Sequence, residues 1–237
     1  MSKAVKEAHA HLASYILSPD GVHRFANNAD MRQRLLSRMN DPSRQLGARL
    51  ALSSRLNLAL LSEVAHLELI HPEYAAEPRD LSVLQDFRNL KSLTVQVGPA
   101  VPAESIQLRL PIIKLNLTIP QGQVFAFSAG SFPRLRSLEV NLTSSSFDFQ
   151  SLAQYTALEV LKLRGWGQRL DLRHLQSMTN LRTLELRHVA TNDLSPLSGM
   201  TGLERLSVNC FGTTEGRGLP AQFASTQIFD STGIPHW

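Results

Sequence analysis

A single cysteine, Cys210, in 237 residues excludes an intramolecular disulfide framework and any multi-cysteine zinc site. It fits a reducing compartment. Long apolar runs are missing too. No segment reaches the ~18 apolar residues a membrane helix needs, and the best stretch, residues 50–61, is short and carries Arg55. Lys3 and Lys6 are followed by Glu7, His9 and His11. No apolar run of about 7–15 residues follows them, so the N-terminus does not read as a secretory signal. Also absent are the phosphate loop G-x-x-x-x-G-K-[ST], the zinc motif H-E-x-x-H and the nucleophile elbow G-x-S-x-G. The expectation is a cytoplasmic non-enzyme with no cofactor and no metal.

What remains is a globular composition, 43% hydrophobic and 19% charged, too apolar for a disordered chain. The net charge of +4 is unevenly placed. Residues 1–63 hold 9 Lys/Arg and 5 Asp/Glu, and the remainder hold 15 of each, so the whole excess lies at the N-terminal end. Arginine supplies most of the positive charge, because only Lys3, Lys6, Lys91, Lys114 and Lys162 are lysines.

The chain is internally periodic. The pattern L-x-x-L-x-[LV] begins at Val64, Leu90, Ile112, Leu135, Leu158, Leu181 and Leu203, with spacings of 26, 22, 23, 23, 23 and 22. A fixed period of this length marks a stacked repeat. In four units the strand pattern is preceded by D-[LF]-x-x-L-x-x-[FYM]-x-x-L, starting at Asp80, Asp148, Asp171 and Asp193. Apolar residues every third position predict a short 3₁₀ or helical segment with one apolar stripe. The leading aspartate suits an N-cap, since its carboxylate accepts the free N–H groups of the first turn. Pro196 falls in a first turn, where no N–H is needed.

These residues resemble the leucine-rich repeat family, and the stretch from Asp193 to Val208 is similar to the 22-residue type of internalin-like bacterial proteins. The resemblance spans residues 64–212, about seven units. It implies an α/β solenoid, a horseshoe with a parallel sheet on its concave face, and, through the likeness to bacterial proteins, either an intracellular adaptor or an effector delivered into a host cell. Where the family places asparagine, three residues past the last strand leucine, this chain has Gly98, Pro120, Thr143, Trp166, Val189 and Phe211. An apolar column is expected to replace the ladder in the last three units. Irregular loops are expected at 98–111, where Arg109 interrupts the stripe, and at 120–133, with Phe125, Phe127 and Phe132 packing one of them down.

A stack of repeats must be closed at both ends. Residues 1–63 read as a helical N-terminal cap, with helices over 3–17, 30–39 and 44–62. Residues 213–237 read as a C-terminal cap or tail.

Alternate strand residues share a face. The residues between the repeat leucines therefore form three columns on the concave sheet. Its polar, mixed-charge surface suggests that it grips another protein, through Glu139, Lys162, Arg164, Glu185, Arg187, Arg205 and Asn209. Glu139, Lys162 and Glu185 are expected to alternate as a charge ladder. A second reading uses Arg24, Arg32, Arg34, Arg38, Arg44, Arg49 and Arg55 to hold nucleic acid or an acidic partner, although only Tyr15 and Phe25 could stack on bases there. A third pairs Cys210 with His188, at equivalent positions of adjacent repeats, as a reactive thiol. His66 and Glu68, with His71 beyond, read as a polar cluster on an edge strand rather than a metal or acid–base site.

Overall fold

The computed structural model describes residues 27–39, 48–51, 62–70, 81–96, 108–119, 122, 124–143, 146–191, 193–211, 223, 228–229 and 235–236. The chain divides into two compact units, Met1–Ile112 and Ile113–Trp237.

In the first unit, helix α1 (Ala29–Met39) forms where the helix over 30–39 is expected. It starts with Asn28 Oδ1 accepting the Met31 N–H at 2.9 Å, the bond an N-cap makes. The expected helix over 44–62 is corrected at 48–51, while 44–47 and 52–61 lie outside the described residues. Ala48–Ala51 is strand β1, parallel to β2 (His66–Ile70), with Ala48 opposite Leu67 and Ala51 opposite Ile70. Four residues are too few for apolar spacing to choose between helix and strand, and pairing along β2 satisfies the backbone. β2 pairs in parallel with β3 (Ser92–Gln96), His66 opposite Ser92. β2 is therefore flanked on both sides, and His66 and Glu68 do not lie on an edge strand. The expected helix over 3–17 lies outside the described residues.

The 3₁₀ pattern read from the sequence is built into the backbone. The N–H groups of Leu84, Phe87 and Leu90 donate to the carbonyls of Leu81, Leu84 and Phe87. Each apolar residue of the stripe thus bonds its predecessor three positions back, so the side chains stack on one side. All four are buried. Farther along, Arg109 is exposed between buried Leu108 and Leu110.

In the second unit, the chain lays down β4 (Lys114–Ile119), β5 (Val124–Phe125), β6 (Ser137–Leu142), β7 (Ser146–Phe147), β8 (Val160–Arg169), β9 (Thr183–Ala190) and β10 (Arg205–Phe211). β4, β6, β8, β9 and β10 lie side by side in that order, each neighbour parallel. β11 (Ile228–Phe229) pairs in parallel on the far side of β10, and β12 (Pro235–His236) pairs antiparallel on β11. The C-terminal strands thus occupy the edge that the last repeat strand would otherwise leave unpaired.

Between these strands run 3₁₀ segments Phe149–Gln154, Leu172–Leu175 and Ser195–Gly199. Their aspartates behave as the sequence predicts. Asp148 accepts from the Gln150 N–H at 2.9 Å, Asp171 from Arg173 at 3.0 Å and Asp193 from Ser195 at 2.8 Å. Asp80 lies outside the described residues. Asp171 also receives the Arg173 guanidinium, Nη2 at 2.6 Å. That side-chain bond, helped by the Arg173 N–H, holds its carboxyl at about 2. Ser195 lowers Asp193 in the same sense.

Residues 124–133 carry one two-residue strand and are otherwise without helix or strand, as an irregular loop would be. Within them β5 pairs in parallel with β7 as a separate two-stranded sheet. Phe125, Phe127 and Phe132 do pack inward, joined by Phe147, Phe149 and Tyr155. Ring centroids are 5.0 Å apart for Phe125–Phe127 and 5.2 Å for Phe127–Tyr155, the edge-to-face geometry in which a pair contributes ~0.5–1.5 kcal/mol beyond its buried area. The Tyr155 hydroxyl donates to the Ser131 carbonyl at 3.1 Å, and burial raises its pKa well above the ordinary phenol value.

Candidate functional site

One side of the second unit's sheet is sealed by Leu115, Leu117, Leu138, Val140, Leu161, Leu163, Leu184, Leu186 and Val208, all buried. The alternation of side chains along a strand then places the residues between them on the opposite, open face. That face carries Lys114, Asn116 and Thr118 on β4; Ser137, Glu139 and Asn141 on β6; Val160, Lys162 and Arg164 on β8; Thr183, Glu185 and Arg187 on β9; and Arg205, Ser207 and Asn209 on β10. All seven residues singled out from the sequence are therefore brought to one face. Register fixes their neighbours: Glu139 opposite Lys162, Lys162 opposite Glu185, Arg164 opposite Arg187, and Arg187 opposite Asn209.

The charges do not alternate as a simple ladder. They converge on Glu185. Lys162 Nζ stands 3.6 Å from its Oε2 and Arg164 Nη2 3.8 Å from its Oε1, while Arg187 brings Nε onto Oε1 from the same strand. The Glu185 side chain is only 12% exposed, against 36%, 45% and 46% for the three cations. Its carboxylate is sunk among them and the cations face solvent. Glu139, in register with Lys162, forms no ion pair among the described residues. Asn141 Nδ2 donates to Asn116 Oδ1 at 3.4 Å on the neighbouring strand. Asn209 Oδ1 is shielded from water and has no hydrogen-bond partner among the described residues.

Each of these strands is approached through the same backbone device. The Ile113 carbonyl accepts from both Arg136 and Ser137, the Arg136 carbonyl from Glu159 and Val160, the Glu159 carbonyl from Arg182 and Thr183, and the Arg182 carbonyl from Glu204 and Arg205. Strand, apolar 3₁₀ stripe and shared carbonyl thus recur together along a parallel sheet, consistent with the leucine-rich repeat pattern expected from the sequence. No family model matches the chain, and no curated protein matches it. Among solved structures it is similar to an internalin from Listeria monocytogenes, 18% identical, with a TM-score of 0.48 over 69% of this chain and 44% of that one. The chain thus aligns with less than half the length of that internalin.

The column one residue ahead of the open face escaped the sequence reading. Arg136, Glu159, Arg182 and Glu204 alternate in sign at repeat spacing. Arg136 pairs with Glu159, and Arg182 Nη1 lies 2.5 Å from Glu204 Oε1. The signal lies in the sequence at the same period, one position before the strand residues that alternate between faces.

Two expectations on the repeats fail through register. β8 and β9 pair regularly up to Arg164 and Arg187, then resume at Gln168 and Val189. Between β9 and β10, Asn209 faces Arg187 and Cys210 faces Val189. His188 is the bulged residue, with φ 54°. Cys210 and His188 are thus not equivalent neighbours. Nor do Trp166, Val189 and Phe211 form a column, because Val189 is opposite Gln168 and Cys210, and Phe211 is opposite Ala190. An extra residue in one strand is invisible to a count of repeat spacing.

The other candidates gain little. Among the described residues no group of His, Cys, Asp and Glu is arranged to hold a metal ion. His66 and Glu68 sit half-buried on β2, and His71 lies outside the described residues. Of the N-terminal arginines, Arg32, Arg34 and Arg38 are on α1 and Arg49 is on β1, while Arg24, Arg44 and Arg55 lie outside the described residues. Arg34 lies 3.7 Å from Asp30 one turn earlier on an exposed surface. No helix among the described residues is long and apolar enough to cross a membrane.

Proposed function

We propose that this chain is a non-catalytic protein-interaction module whose contact surface is the open face of β6, β8, β9 and β10. The observation that carries this reading is the Glu185 cluster. Three partly exposed cations are gathered around one carboxylate on a surface built of parallel strands. Stacked repeats characteristically offer such extended binding surfaces, and arginine presents a fork of donors suited to carboxylates. Contact runs through Glu139, Lys162, Arg164, Glu185, Arg187, Arg205 and Asn209. Residues 1–63, 64–212 and 213–237 serve as N-terminal cap, repeats and C-terminal closure, and the sheet curves so that this face is concave. An intracellular adaptor, or an effector delivered into a host cell, is the setting that fits such a module.

The test is capture of a partner from lysate by the wild type and by Lys162→Glu/Arg187→Glu. The double variant must unfold at the wild-type temperature. Loss of a partner that the wild type retains supports the reading. Equal retention by both contradicts it and moves attention to the arginines of the N-terminal segment.

A further inference from the structure

We infer that the face around Glu185 recognises an acidic protein segment bearing carboxylates about 5–7 Å apart, with Glu185 acting as a built-in competitor that holds the cations ready. This rests on the interaction-module reading and names the chemistry of its partner.

The first argument is charge. Of the fifteen open-face residues in the second unit, five are cationic (Lys114, Lys162, Arg164, Arg187, Arg205) and two are acidic (Glu139, Glu185), a net +3. Residues 64–237 carry 15 cations and 15 anions in all, so this face is a local excess within a neutral segment. A complementary surface is negative.

The second argument is donor capacity. Lys162, Arg164 and Arg187 together present roughly thirteen N–H donors, while one carboxylate offers about four acceptor positions. Glu185 engages Arg187 through Nε, the inner nitrogen of the guanidinium. The Arg187 side chain remains 46% exposed. Donors in excess of the internal acceptor are available to carboxylates from outside.

The third argument is spacing. Arg164 and Arg187 are directly opposed on neighbouring strands, which lie about 4.8 Å apart, and Lys162 and Arg164 are two residues apart along one strand, about 6.6 Å. Acidic residues at alternate positions of an extended segment, or one turn apart on a helix, present carboxylates at that separation.

A nucleic acid fits less well. None of the fifteen face residues is aromatic, which removes the stacking platform that single strands use. Glu139 and Glu185 interrupt the positive surface, where a continuous phosphate backbone would meet them.

The experiment uses the full chain and a dye-labelled peptide of alternating Glu and Ser, with an alternating Gln and Ser peptide and a single-stranded oligonucleotide of equal charge as comparators. The Glu peptide is expected to bind at least ten-fold tighter than the Gln peptide and the oligonucleotide. Arg164→Ala/Arg187→Ala should lose at least ten-fold with the unfolding temperature retained. Glu185→Gln should gain several-fold, because the internal competitor is weakened while side-chain size is kept. No preference for Glu over Gln overturns the inference, as does tighter binding of the oligonucleotide or a loss in Glu185→Gln. If the lysate partner is still lost in Lys162→Glu/Arg187→Glu while the acidic peptide fails to bind, the interaction reading stands and the acidic-partner inference alone falls.

Discussion

Lys162 and Glu185 face each other across β8 and β9, Nζ to Oε2 at 3.6 Å, and Glu185 is the less exposed of the two at 12%. A carboxylate shielded in this way relies on its cations for the solvation that water no longer supplies. Its partners are at least a third exposed, so screening keeps each pair weak. Replacing Glu185 with Ala is expected to lower stability by about 1 kcal/mol at low salt, less as salt rises toward about 1 M. Urea unfolding at two salt concentrations measures both.

Acid sensitivity follows from the 3₁₀ caps. The Asp171 carboxyl is lowered from 3.8 to about 2, first by the Arg173 side chain and then by its N–H. A depressed carboxyl adds stability above its unfolded pKa, and that part is lost as the pH falls through the folded value. Asp171→Asn is therefore expected to flatten the decline in stability between pH 3.8 and about 2. Thermal unfolding across that range reads it.

The cap at Asp148 is a test of the repeat device itself. It accepts the Gln150 N–H at 2.9 Å, and Asp148→Ala leaves that donor to water. The expected loss is ~1 kcal/mol. Leu161→Ala, at a position with no exposure, is expected to cost far more, ~2–5 kcal/mol, because a cavity is left behind. Denaturant titration of the two variants separates cap from core.

His188 occupies the left-handed region, φ 54°. Asparagine adopts that conformation readily and a β-branched residue does not. His188→Val is therefore expected to be less stable than His188→Asn by ~1–2 kcal/mol, again read by denaturant titration.

Much of this was legible in the sequence because two periods were superimposed. Leu81, Leu84, Phe87 and Leu90 repeat by three, and the same residues form the backbone 3₁₀ bonds. Leu138 and Val140 alternate with Glu139, and alternation assigns faces. Strand β1 was illegible because Ala48–Ala51 lies outside the period and is too short to declare itself. The convergence on Glu185 was illegible because two of its cations sit one column away, so the pairs are diagonal or along the strand rather than straight across. The bulge at His188 was illegible because its single extra residue leaves the leucine spacing intact.

The central claim is that the open face of β8 to β10 touches the partner. Ser207 lies on that face between Arg205 and Asn209 and is exposed, so a photo-reactive residue can replace it without removing a charge. Arg34 on α1, also exposed, provides the comparison. A covalent adduct with the captured partner is expected from position 207 and none from position 34. An adduct from position 34 alone would place binding on the N-terminal helix and contradict contact at the open face.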